Sequence, residues 1–465
     1  MPTLCRSRRQ VAWRRAPRDE AELKALLSEA ASQRQSVQAI STGRNWGYGS
    51  SLPHRNGTGI IDLSRWTEIG PLDRATLSVR IQPGVTQGQL HDWLQQNAPD
   101  LAGNVTGAGT RTSILGCALE RGIGYIGAME DSVFGLEVML ADGTVVRPDP
   151  AWFHPARNHA AGPAHERLFF QSNYGIVLAA RVRLRVRQEL EQAVVVTGSL
   201  PGLIATLREC YAQKIVSLPT HIGEPGRSGR LAASRLAEVR GRPVSAEEVA
   251  AAFPESGDHI ALTALHGRKR IVDACWRELH MQLAPGAVAR RFDARGSARL
   301  EKVARLLGLR NQADRLASFL PLFGLTWSVP SDTGLQALAL PAGEINPDKA
   351  EEGAIYGNAV SALEAEHAAR TAGIVRSAWP EAACTYIVLD AHSLITVFTL
   401  HIRPGREEEA KRAEQIIAGK LLAAGYPPYR LGIDVPGPKA GPLHRALKQA
   451  LDPQGLIAPG RYESP

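Results

Sequence analysis

Three glycines, Gly43, Gly47 and Gly49, fall within the ten residues STGRNWGYGS from Ser41 to Ser50, interleaved with Arg44, Asn45, Trp46 and Tyr48. A loop of this composition can do one of two things. Its backbone N–H groups, freed of Cβ atoms, can close around a phosphate or pyrophosphate without needing a lysine. Alternatively, the glycines only make a tight turn that an aromatic side chain plugs. The spacing G-x-x-x-G-x-G fits neither the Walker nor the dinucleotide fingerprint, and no helical pattern follows Gly49 as both would require. Two more glycine-rich stretches, GNVTGAGTRTSILG and GCALERGIGYIG, lie downstream and add weight to the phosphate reading.

The elements that must hold these loops read as a mixture of short strands and helices. Residues 18–33 carry apolar positions at helical spacing behind a capping aspartate, and VTQGQLHDWLQQNAP reads as an amphipathic helix opened by Thr86. SVQAIST, GIIDLS and TLSVRIQPGV are strands ending in turns. FGLEVMLADGTVVRP is a hairpin turning at Asp142-Gly143, and GIVLAARVRLRVR is a further strand with apolar and basic residues alternating from Ala180. The pattern is α+β, without regular βαβ alternation. From about residue 190 to 425 longer helical windows appear, SAEEVAAAF, DACWRELHMQLA, EEGAIYGNAVSALEAEHAARTAG and EEEAKRAEQIIAGKLLAAG, separated by strands such as HIALTALHG and SLITVFTLHIRPG. This stretch predicts a second domain, a sheet covered by helices. The segment LDPQGLIAPGRY has ordered turn chemistry and must dock onto something.

Length and composition bound the rest. At 465 residues, 44% of them apolar and 22% charged, the chain predicts a soluble protein of at least two domains. No apolar run is long enough for a membrane span, and the basic start MPTLCRSRRQVAWRRAP lacks the apolar run of a secretory signal. Cytoplasmic residence is the expectation. Five scattered cysteines, Cys5, Cys117, Cys210, Cys275 and Cys384, match neither a disulfide framework nor a metal site, so no metal is expected. The net charge of +8 comes mostly from scattered arginines without a basic stripe, which argues against nucleic acid. Part of that surplus can serve an anionic ligand.

In order and spacing, STGRNWGYG, VRIQPGVTQGQLHDWL, GCALERGIGY, GLEVMLADG, LFFQSNYGIV and LDPQGLIAPGRY resemble the vanillyl-alcohol oxidase and p-cresol methylhydroxylase family of flavoproteins. The resemblance is dense over the first 190 residues, good over the last 40, and loose between. It implies a bipartite PCMH-type FAD-binding domain, residues 1–190 plus 425–465, with an α+β cap domain over residues 191–424 whose antiparallel sheet covers the flavin. It further implies that Ser41, Thr42, Gly43, Arg44, Asn45 and Gly47 run along the FAD pyrophosphate. Pro83, Gly84, Val85, Ser113, Gly116, Gly122 and Gly124 would line the FMN half, and Gly175, Ile176 and Val177 would lie near the adenine.

In phenol oxidisers of that family two tyrosines and an arginine hold the substrate oxygen, and the matching positions here are Tyr48, Tyr429 and Arg430. A cation and two hydroxyl donors on one oxygen lower a phenol's pKa and favour hydride loss from the para carbon. Two departures stand out. The residue that attaches FAD covalently in relatives is replaced by Gln336, in DTGLQALALPAGEIN, so dissociable FAD is expected. The aspartate that relatives carry near the flavin is replaced by Ala108 or Gly109. The strand reading of YIVLDAHSLITVF places Asp390, His392 and Leu394 on one face, which makes Asp390 and His392 the substitute acid/base candidates. Glu130 and Asp131 rank behind them, and Cys117 reads as a small buried residue.

The resemblance implies an FAD-dependent oxidoreductase taking hydride from a para-substituted phenol or similarly activated molecule, with dioxygen or an electron carrier as acceptor. A homodimer is among the assemblies it leaves open. Two alternatives stand beside it: oxidation of a non-phenolic alcohol, hydroxy acid or natural-product intermediate, and flavin binding without turnover.

Overall fold

The protein is described by a computed structural model covering residues 3–49, 51–147, 162–253, 258–338, 340–341 and 344–463. Ser50 of the glycine loop, Pro148 at the end of the hairpin segment, and Ala339, Ala342 and Gly343 of the Gln336 stretch lie outside the described residues.

Two small sheets carry the glycine loops. Strands Val11–Arg15, Thr58–Asp62 and Val37–Ile40 form a parallel trio with Thr58–Asp62 in the middle. A five-stranded antiparallel sheet runs Ile69–Asp73, Ser78–Ile81, Ile176–Arg183, Val133–Met139, Val145–Val146. The expected caps are present: Asp19 accepts from the Glu22 N–H, and Thr86 and Gln89 form a reciprocal capping box at the helix Gln87–Asn97. The segment after Asp452 returns to this region. Val37 N–H donates to the Leu456 carbonyl at 2.8 Å, and Ala458 N–H donates back to Val37 at 2.7 Å. The docking partner that LDPQGLIAPGRY required is therefore the strand leading into the glycine loop.

A second, seven-stranded antiparallel sheet takes its strands from residues 190–402. Its order is Val288–Phe292, Leu190–Gly198, His259–Gly267, Thr220–Gly223, Ala383–Val388, Ser393–Ile402, Gly353–Ala362. Alternation assigns its faces. Val194, Val196, Ala261, Ile222 and Phe398 pack under helices that bury Leu203, Leu207, Val272, Val375 and Ile417. Val195, Leu262, His221 and Ile387 point the opposite way and floor a cavity.

Two expectations fail here. The window EEGAIYGNAVSALEAEHAARTAG is not one helix: Gly353–Ala362 is an edge strand and only Ala365–Ala378 is helical. The alanines fit either state, and the long ladder with Ser393–Ile402 decides for the strand. Likewise YIVLDAHSLITVF is not a continuous strand, because the ladder stops at Val388 and resumes at Ser393.

Candidate active site and cofactor groove

The glycine loop is pinned from both sides. Tyr356 N–H on the cap edge strand donates to the Gly47 carbonyl at 3.0 Å, and Ile433 N–H donates to the Tyr48 carbonyl at 2.8 Å. Gly47 has φ +73°, and a Cβ there would meet the Tyr356 ring at 2.5 Å, so no other residue fits. Ser113 ties three segments together. Its Oγ donates to the Pro83 carbonyl at 2.6 Å and accepts from Gly116 N–H at 2.9 Å, while its own N–H donates to Thr42 Oγ1 at 3.2 Å.

These contacts frame a groove of about 220 Å³ lined by Ser41, Thr42, Gly43, Arg44, Asn45, Pro83, Ser113, Gly116, Gly175, Ile176 and Val177. Its chemistry suits a dinucleotide with a pyrophosphate. Arg44 is half-buried and has no ion pair among the described residues, and burial holds its pKa below the usual value. Asn45 Nδ2 and Arg430 Nε are buried donors without a partner on residues that line the groove. The groove also contains a group that the sequence reading missed. Glu120 lines it, and Arg461 Nη2 reaches both Glu120 carboxylate oxygens at 3.2 and 3.3 Å and Tyr462 Oη at 3.1 Å. Burial alone would raise Glu120, but Arg461 and Arg430 bring it below the usual carboxylate range. The acid is thus ionised and neutralised in place.

Five expected cofactor positions lie off the groove lining. Gly47 packs on Tyr356, Gly84 on the Ser64 and Trp66 carbonyls, Gly122 on Cys117 and Gly124 on Asn104, and Val85 is fully buried. They support the lining from behind. Cys117 does line the groove, with its thiol pushed up by burial.

Tyr48, Tyr429 and Arg430 converge through one residue that the sequence did not single out. Asn358, on the cap edge strand and 5% exposed, donates its Nδ2 to Tyr48 Oη at 3.0 Å. Its Oδ1 accepts the backbone N–H groups of Tyr429 and Arg430 at 2.6 and 2.9 Å. The Arg430 guanidinium lies 4.5 Å over the Tyr48 ring and donates to Asn45 Oδ1 at 2.6 Å. Because Tyr48 Oη accepts from Asn358, its own proton is free to point elsewhere. Burial, with Glu130 next, pushes the Tyr429 phenol up to about 12, so it stays a donor at neutral pH.

Asp390 and His392 do not join this cluster. They sit exposed in the turn between strands Ala383–Val388 and Ser393–Ile402, where Asp390 Oδ1 accepts from His392 and Ser393 N–H, both at 2.8 Å. An aspartate that closes its own turn ends the strand, and both residues are withdrawn as acid/base candidates. Glu130 and Asp131 are held by Arg167, at 3.3 and 3.2 Å, with Arg121 also on Glu130.

The position without an aspartate is occupied by a side chain from 222 positions downstream of Thr110. Gly109 has φ +90°, and a Cβ there would meet Asp332 Oδ1 at 2.7 Å. Asp332 accepts from Thr110 N–H at 2.7 Å and from Thr110 Oγ1 at 2.9 Å. Gln336 follows in the same segment, where its side chain bonds Glu238 and does not line the cap cavity or the groove.

The cap cavity measures about 770 Å³ and lies between the sheet face and the loop carrying Gly107 and Tyr125. His221 lines it and stacks on Tyr125, with ring centroids 4.2 Å apart. Burial drives its pKa to about 4, so the imidazole is neutral, and its Nε2 is buried without a partner. A lone histidine in the strand Thr220–Gly223 carries no spacing signal, which is why the sequence reading missed it.

Residues 13–149 match the family model described as an FAD binding domain. The chain is 28% identical, over 96% of its length and 90% of the relative's, to 1'-carboxy-chondrochloren decarboxylase of Chondromyces crocatus. It is 24% identical, over 91% of its length and 82% of the relative's, to the 4-cresol dehydrogenase [hydroxylating] flavoprotein subunit of Pseudomonas putida. Among solved structures, 4-ethylphenol oxidase from Gulosibacter chungangensis superposes with a TM-score of 0.81 at 19% identity, covering 99% of this chain and 91% of that one. The protein is therefore a PCMH-type FAD-binding flavoprotein with FAD as its cofactor. Its sequence and fold match those of the vanillyl-alcohol oxidase and p-cresol methylhydroxylase family, which supports an FAD-dependent oxidoreductase.

Proposed function

We propose that the protein oxidises a para-substituted phenol, or a similarly activated small molecule, by hydride abstraction with non-covalently held FAD. The bound flavin supplies the two-electron acceptor. The observation that carries the reading is the convergence of Tyr48, Tyr429 and Arg430 on Asn358. One amide ties the Tyr48 hydroxyl to the backbone of Tyr429 and Arg430, and the Arg430 guanidinium lies over the Tyr48 ring. Such a set stabilises an oxyanion through preorganised donors. It lowers the pKa of a phenol placed there, and the phenolate then pushes electron density toward its para carbon. His221, a neutral imidazole with one unpartnered ring nitrogen, takes over from His392 as the proton-handling candidate. Support from relatives lies in the names of 4-cresol dehydrogenase and 4-ethylphenol oxidase, both phenol oxidisers.

A second reading rests on the Chondromyces crocatus relative, whose name describes loss of a carboxyl group. A substrate carrying a carboxylate on the carbon next to the oxidised one can lose hydride and carbon dioxide together, leaving a carbon–carbon double bond. The test is anaerobic mixing of FAD-loaded protein with alkylphenols, hydroxy acids and carboxylated alkylphenols. Flavin bleaching by alkylphenols, abolished with Tyr429→Phe, is the expected outcome. Bleaching by hydroxy acids alone overturns the phenol reading, and release of carbon dioxide from the carboxylated probe selects the second.

A further inference from the structure

The floor of the cap cavity is a row of residues in register across neighbouring strands. Arg290 pairs with Val195, Val195 with Leu262, and Leu262 with His221, and all four line the cavity. Three strand spacings separate the ends of the row, about 14 Å. At the His221 end the floor meets Tyr125 of the flavin-binding part. At the other end, on the outermost strand, stands Arg290.

The rest of the lining is largely apolar. Its charged side chains among the described residues are Arg290 and Arg315, with no carboxylate between them. Arg290 has no hydrogen bond or ion pair to any described residue. Arg315 is half-buried and spends its Nε on the Ala252 carbonyl at 2.6 Å, leaving its terminal nitrogens uncommitted among the described residues. Burial, and then the neighbouring Arg290, hold its pKa below the usual value. Two adjacent guanidinium groups at one end of an apolar cavity, neither neutralised by a described residue, match a planar anion on an otherwise apolar ligand.

We propose that this cavity selects an elongated substrate with a carboxylate at the end remote from its reacting group, received by Arg290 with Arg315 beside it. The far side of the sheet fixes the opposite end. Asn358 pairs with Val397, and Val397 with Thr385, which lines the same cavity. Asn358 thus shares the face that carries Arg290 and stands at the opposite edge, six spacings or about 29 Å away. A short alkylphenol cannot touch both edges, whereas a phenol with a long acidic side chain can reach from one toward the other. The carboxylate is a handle here and takes no part in the chemistry.

The inference rests on the phenol reading only for its choice of probes. FAD-loaded protein is titrated with ω-(4-hydroxyphenyl)alkanoates of increasing chain length, their methyl esters, and the same acids lacking the ring hydroxyl, following perturbation of the flavin absorbance. The acid is expected to bind about ten-fold tighter than its ester once the chain is long enough. That ratio is expected to fall to near one in Arg290→Gln and to be largely kept in Arg290→Lys. An ester that binds as tightly as its acid at every length, or a preference that survives Arg290→Gln, overturns the carboxylate subsite. An acid preference equally strong without the ring hydroxyl supports the subsite and removes the phenol reading instead.

Discussion

Asn358 donates its side-chain N–H to the Tyr48 hydroxyl at 3.0 Å, joining residues 310 positions apart in the chain. The same amide accepts two backbone N–H groups from Tyr429 and Arg430, so it sets the separation between the glycine loop and the Tyr-Arg pair. Asn358→Asp keeps the acceptor but loses the donor to Tyr48, while Asn358→Leu loses both. Alkylphenol affinity is expected to fall about ten-fold in the Asp variant and further in the Leu variant, with the flavin spectrum kept in the Asp variant. Titration of the flavin absorbance with an alkylphenol checks this, and an Asp variant that binds as tightly as the wild type would refute the role of the Tyr48 bond.

Arg430 belongs to two sites at once, since it stacks on Tyr48 and lines the cofactor groove. Arg430→Ala is therefore expected to weaken both alkylphenol and FAD binding, whereas Tyr429→Phe weakens the phenol alone. Measuring FAD content after gel filtration alongside phenol affinity separates the two, and unchanged FAD retention in Arg430→Ala would contradict the double assignment.

The carboxylate of Asp332 fastens a cap segment to Thr110 of the flavin-binding part. Asp332→Ala leaves the Thr110 N–H without its acceptor and should cost about 1–3 kcal/mol. Gly109→Ala is expected to be at least as damaging, because it adds strain at φ +90° to a clash with the same carboxylate. Thermal unfolding of both variants is the measurement.

Much of the cofactor groove was legible because its parts are local. The glycine loop, Ser113 and Gly175–Val177 carry their signal in short runs of residue types. Asn358, Asp332, His221 and Arg290 carried none, because register and topology bring them into place. Asp332 brings a carboxylate against Gly109 and Thr110 from some 220 positions downstream, and nothing in its own neighbourhood marks it. The misplacement of His392 was a local error, since Asp390 followed by Ala-His-Ser is turn chemistry inside what looked like an alternating strand.

Glu414, buried between Asn358 and Gly432 in a small cavity with Arg430, has its pKa pushed up to about 8 by burial and then by Asp434. The unfolded chain releases that proton near the ordinary value of 4.5. The folded state therefore binds more protons between these values, and the stability tied to the protonated acid is complete below about 4.5 and lost as pH rises through about 8. Glu414→Gln should melt close to the wild type at about pH 5 and several degrees above it at about pH 8.5. A melting difference independent of pH would show that the carboxyl is ionised throughout.

Gln336 offers no nucleophile to the flavin and bonds Glu238. Acid precipitation of the holoprotein should leave FAD in the supernatant, and yellow colour in the pellet would point to a covalent bond formed elsewhere.

The pairing of Val37 with residues 456–458 sets an order of events during synthesis. The glycine loop emerges from the ribosome early, yet the strand leading into it has no partner on this side, and Glu120 lacks its hydrogen-bonded Arg461, until residues up to Arg461 have been translated. The large cap sheet is complete by residue 402 and can fold first. Capture of FAD is thereby deferred until residues 456–461 have emerged, and nascent chains stalled in the cap should carry none.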